Sequence, residues 1–86
     1  MREEIKKELL KIGELVIRGE MERAAKHWDL FIVRYSLFQY PEIYDEDIFF
    51  DTYTLIDMFV VFEYHTQQPY TSKDLKEMIH QLSITP

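Results

Sequence analysis

The chain has 86 residues, a formal net charge of −6, no cysteine, two glycines and three prolines. This length predicts a single domain over residues 1–86, and the lack of cysteine excludes disulfides and thiolate metal sites. Direct binding of nucleic acid is not expected, because residues 28–70 hold eight carboxylates and one basic residue, Arg34.

The first segment, residues 2–18, has the pattern of an amphipathic helix. Its apolar residues recur every three or four positions and share one face: Ile5, Leu9, Ile12 and Val16. Gly19 follows, where glycine easily forms a left-handed helix stop. The charged start lacks the apolar region of a secretory signal, and no stretch is long enough to cross a membrane, so we expect a cytoplasmic protein.

The second segment, residues 20–39, predicts another helix. Its apolar residues also recur every three or four positions: Met21, Ala24, Ala25, Trp28, Phe31, Ile32, Tyr35 and Phe38. This spacing favours a core position for Trp28 rather than an exposed groove. Pro41 disfavours a helical conformation at Tyr40, so the helix is expected to end near Gln39.

Residues 40–50 are predicted to form an acidic, aromatic loop, and a third helix is predicted over residues 47–66. This helix is apolar nearly all round, which is typical of a central, buried element. A strand is the alternative for residues 52–64, because threonine, tyrosine, valine and phenylalanine all favour strands.

A fourth helix is predicted over residues 72–83. Thr71 and Asp74 have the spacing of a capping box at its start. An apolar stripe follows: Leu75, Met78, Ile79 and Leu82. The sequence therefore predicts an all-α fold, a compact bundle of four helices with short connections.

The strongest candidate site lies around the predicted loop, where carboxylates alternate with tyrosines. We expect these residues to bind a partner: Tyr40, Glu42, Tyr44, Asp45, Glu46, Asp47, Asp51 and Tyr53. Carboxylates attract a basic protein surface and speed association, and tyrosines supply rigid contact area. The alternative is a solvated acidic loop whose aromatic side chains turn into the core.

Catalytic, cofactor and metal sites are not expected. Glu77 and His80 have the spacing of one half of a di-iron site, but no second pair of this kind occurs in the sequence. The sequence contains no G-x-S-x-G, phosphate-binding or H-E-x-x-H motif. We therefore expect a protein without enzymatic activity.

Two functions remain as expectations. In general character the chain resembles immunity proteins and antitoxins, which inhibit nucleases by presenting carboxylates to a basic site, although no motif of a particular family is present. The first expectation is therefore an inhibitor of a basic protein such as a nuclease toxin. The alternative is a structural or regulatory homo-oligomer, such as a homodimer, because the third segment is more apolar than a small monomer easily covers.

Overall fold

The computed structural model describes residues 1–61 and 71–86, which form helices without any strand. The helices follow one another along the chain: α1 (Arg2–Ile17), α2 (Met21–Arg34), α3 (Pro41–Tyr44), α4 (Asp47–Val61) and α5 (Ser72–Ile84). The predicted all-α bundle is confirmed. It has one helix more than expected, because the one-turn helix α3 lies within the predicted loop.

The first helix is built as its pattern predicts. The four apolar residues of its stripe are buried, and α1 packs against α2, α4 and α5. Gly19 has a φ of +77°. Its amide donates to Val16 O at 3.0 Å, and the next amide, of Glu20, donates to Leu15 O at 2.9 Å. This pair of bonds is a Schellman motif, so the predicted helix stop is confirmed.

The second helix ends five residues earlier than predicted. Its core-facing residues Ala24, Trp28 and Phe31 are buried, but the helix ends at Arg34 and not near Gln39. After it, the Ser36 hydroxyl accepts a hydrogen bond from the Gln39 amide at 3.3 Å. Such a local side-chain bond competes with continued helix.

The predicted loop over residues 40–50 is largely helical. Tyr40 is outside the helical region, with φ −130° and ψ 56°, as Pro41 requires. Pro41 then occupies the first position of α3, where its fixed φ suits a helix and its missing N–H costs nothing. Only residues 45 and 46 separate α3 from α4.

The third predicted helix corresponds to α4. Residues 52–61 are helical, which removes the strand alternative there, whereas residues 62–66 lie outside the described residues. This helix contacts every other helix of the described chain. Its apolar surface is nevertheless not fully covered, because Phe50 and Val61 remain 44% and 52% exposed.

The last helix begins with the predicted capping box. The Thr71 amide donates to Asp74 Oδ2 at 2.7 Å, and the Asp74 amide donates to Thr71 Oγ1 at 3.4 Å. Leu75, Ile79 and Leu82 are buried, and the buried side chains of all five helices form one hydrophobic core.

Candidate functional site

The tyrosines of the predicted site point into the molecule rather than outward. Tyr44 is 6% exposed, and its hydroxyl donates to the carbonyl of Tyr35 at 2.7 Å. Tyr53 is half-buried, with its ring centroid 4.8 Å from that of Trp28 and 5.3 Å from that of Tyr44. Tyr40 is also half-buried. These rings therefore pack beneath the surface carboxylates. The alternative interpretation of the sequence, in which the aromatic side chains turn into the core, expected this arrangement.

Burial also changes the acidity of two of these tyrosines. Desolvation raises the pKa of Tyr44 far above its ordinary value. The pKa of Tyr53 is raised by burial and by the nearby Asp57 carboxylate. That carboxylate accepts a hydrogen bond of 2.9 Å from the indole of Trp28, which is fully buried. The predicted core role of Trp28 is therefore confirmed.

The carboxylates of the predicted site lie on the surface. All five are exposed, on α3, on the two residues after it and on the first turns of α4: Glu42, Asp45, Glu46, Asp47 and Asp51. One of them is neutralised within the chain, since Arg2 donates to both oxygens of Glu46, at 2.7 and 3.0 Å. This bond lowers the pKa of the Glu46 carboxyl.

The other four carboxylates of the cluster have no ion pair among residues 1–61 and 71–86. Arg34 is the one basic residue in the central region, and it forms no ion pair with any described residue. The corner between α2 and α4 therefore presents negative charge that nearby described residues neutralise at only one position. We call the four carboxylates, Glu42, Asp45, Asp47 and Asp51, the acidic corner.

The acidic corner is held on a well-packed base. The Tyr44 hydroxyl bond ties α3 to the end of α2, and Arg2 ties residue 46 to α1. The Arg2 guanidinium also lies 4.9 Å from the ring centroid of Phe49, which is fully buried. These contacts hold the backbone that carries the carboxylates in one conformation. Binding at this surface would therefore lose little conformational entropy.

A groove that the sequence did not predict lies between α4 and α5. Its lining comes from two stripes with the same helical spacing, one on each helix. The acidic and the larger apolar side chains among these residues are Asp51, Leu55, Met58, Asp74, Glu77 and Met78. The groove encloses about 360 Å³. It shares Asp51 with the acidic corner. Only the packing of the two helices brings the stripes together, so neither stripe alone indicated a site.

The possible metal ligands and polar side chains of α5 can be compared with the geometry that a metal or catalytic site needs. Within the described residues, no group of three histidine or acidic side chains is placed to hold a metal ion. Glu77 and His80 are both exposed on α5. Ser83 donates to the carbonyl of His80 at 2.6 Å, a bond within its own helix. Ser83 is exposed as well, so all three residues lie on the surface of α5.

Comparison with known proteins adds no relative: no family model, no curated protein and no solved structure matches the chain. Among the described residues, no helix has the length and apolar character to cross a bilayer.

Proposed function

We propose that the protein is a small acidic binding module that inhibits a basic protein, in the manner of immunity proteins and antitoxins. The target class is a protein whose basic site binds nucleic acid, such as a nuclease toxin. The cytoplasm is the proposed location, since a chain without cysteine is suited to a reducing compartment.

The acidic corner is the observation that carries this proposal. Four exposed carboxylates within ten residues of chain create a local negative field, and none of the four forms an ion pair with a described residue. Such a field attracts a basic surface and raises the association rate by about 10-fold or more. The rigid base beneath it keeps the carboxylates in place before the partner arrives.

The first experiment captures the partner. Tagged protein is used to bind proteins from an extract of the native host, and mass spectrometry identifies what is retained. The proposal expects a basic protein whose nuclease or other nucleic-acid-dependent activity falls when the chain is added. Retention of acidic proteins alone would count against it.

The second experiment compares two triple variants with the captured partner. E42Q/D45N/D47N removes charge from the acidic corner, whereas E14Q/E22Q/D29N removes the same charge from exposed positions on α1 and α2. The first is expected to slow association about tenfold and to flatten its salt dependence. The control is expected to change the rate far less. Equal association rates for both variants would contradict the proposal.

A second candidate function is self-association, which large exposed apolar side chains favour. Phe38 is 94% exposed, and Leu30 and Val33 on the outer face of α2 are 61% and 73% exposed. Contact between two copies would remove such apolar side chains from water. Light scattering tests this candidate, because a mass of 10.5 kDa at high concentration would identify a monomer.

A further inference from the structure

We propose that the groove between α4 and α5 is the docking site for a basic amphipathic helix presented by the partner. This inference rests on the proposed function and deepens it, because it names the kind of segment that the partner contributes. The acidic corner would attract that segment, and the groove would hold it.

The floor of the groove is apolar. Leu55 is 4% exposed, and Met58 and Met78 are half-buried beside it. Methionine side chains are flexible and polarisable, so they adapt to the side chains of a bound helix. On each helix the lining residues fall at i, i+3, i+4 and i+7, so the groove follows two helical turns, about 10 Å. A helix laid along it would insert its own apolar residues at this spacing.

The rim of the groove is acidic. Asp51, Asp74 and Glu77 line it, and its described lining contains neither lysine nor arginine. Asp51 and Glu77 are exposed and form no ion pair with any described residue. Asp74 accepts the Thr71 cap bonds and also lines the groove.

Charge decides which occupant suits the groove. A helix with lysine or arginine on both sides of its apolar stripe places cations at this rim. A second copy of the chain suits it poorly, because each copy carries a net charge of −6. The continuity of the groove with the acidic corner through Asp51 extends the attraction over one surface.

The test uses a synthetic helical peptide with leucine at i, i+3, i+4 and i+7 and lysine at the flanking positions. A twin peptide with glutamate in place of lysine is the control. The full chain is labelled with ¹³C-methyl methionine, which reports on four positions, Met1, Met21, Met58 and Met78. The basic peptide is expected to shift the methyl signals of Met58 and Met78 saturably, and the acidic twin to shift neither.

Two matched variants then test the rim. D51K/E77K reverses charge in the groove, and E22K/D29K makes the same change on exposed positions of α2. The groove variant is expected to weaken binding of the basic peptide about tenfold or more, and the control several-fold less. Circular dichroism confirms that both variants remain helical before binding is measured.

Two results would overturn the groove as docking site. One is unmoved Met58 and Met78 methyl signals while backbone amides of residues 42–47 shift, a result that leaves the proposed acidic inhibitor standing. The other is equal weakening by both charge-reversal variants, which would reduce the attraction to net charge. Failure of the proposed function is seen separately, in the association rates of the captured partner.

Discussion

At the scale of single residues, Tyr44 shows how one hydroxyl completes the end of a helix. The last carbonyls of α2 have no partners within the helix, because it ends at Arg34. Tyr44, one turn into α3, donates its hydroxyl to the carbonyl of Tyr35 at 2.7 Å. Its ring packs edge-on against Tyr53. The residue that the sequence suggested as a surface anchor therefore stabilises the base of the acidic corner.

Tyr44→Phe is expected to lower the free energy of unfolding by about 1–2 kcal/mol, because a partly buried carbonyl loses its donor. The change also has a pH signature. The folded state raises the pKa of this hydroxyl, so stability present at neutral pH is lost as pH rises above about 10. Urea unfolding at several pH values measures both effects. The variant should lose less stability at alkaline pH than the parent.

Tyr40→Phe is the matched control for this prediction. Tyr40 is half-buried beside Tyr35, and its hydroxyl makes no hydrogen bond with a described residue. Its substitution is expected to change stability by less than about 0.5 kcal/mol. If both variants behave alike, the role assigned to the Tyr44 bond is wrong.

Gly13 is the residue on which the closeness of α1 and α5 depends. It is buried, and a Cβ built on it would lie 2.7 Å from Cγ1 of Ile79 and closer still to the Cδ1 atom of that side chain. By itself, a glycine in the interior of a helix is expected only to weaken that helix. The packing shows that the missing side chain makes room for Ile79.

Gly13→Ala is therefore expected to destabilise the protein, although alanine is the better helix former. The gain in helix propensity is about 1 kcal/mol, and overpacking costs about 1–3 kcal/mol. We expect a net loss of about 1 kcal/mol in thermal or urea unfolding. The double variant G13A/I79V removes Cδ1 and should recover part of this loss. Stabilisation by the single variant would contradict the close contact.

At the scale of elements, the residues at the helix ends determine where each helix begins and stops. α1 ends in the Schellman motif at Gly19, and α5 begins with the box formed by Thr71 and Asp74. Both were readable from short motifs because they depend on residues next to each other in the chain. The end of α2 was not readable, since the Tyr44 hydroxyl and the turn at Ser36 take part in it.

Thr71→Ala is expected to cost about 1 kcal/mol, because the Asp74 amide loses its side-chain acceptor at the helix start. Ser72→Ala is the adjacent control. Ser72 is exposed at the first position of α5, and its hydroxyl bonds to no described residue. Chemical denaturation of both variants measures the difference. Equal losses would show that the capping box contributes nothing to stability.

At the scale of the whole molecule, the pair of Arg2 and Glu46 connects the start of the chain to the corner between α3 and α4. The two side chains are 44 positions apart in sequence and bond at 2.7 and 3.0 Å. The pair removes one carboxylate from the field that a partner meets. The negative charge at the acidic corner is therefore set by this long-range contact as well as by the number of carboxylates in the sequence.

Acid pH tests this connection. Because Arg2 lowers the pKa of Glu46 in the folded state, the stability from the pair is present above the ordinary value of 4.5 and is lost as pH falls through the lowered pKa. Between about pH 5 and about pH 2, the melting temperature of the parent should therefore fall further than that of Glu46→Gln. The effect is small, since the pair is exposed to solvent. Parallel curves would contradict it.

The sequence by itself determined that α1, α2, α4 and α5 exist, the buried stripes of α1 and α5, the stop at Gly19 and the capping box. These follow from local periodicity and from residues within one turn of each other. Tertiary structure alone decided which way the tyrosines point, which carboxylate pairs with Arg2, and that α4 and α5 enclose an acidic groove. Each depends on contacts between distant parts of the chain, which a linear pattern does not encode.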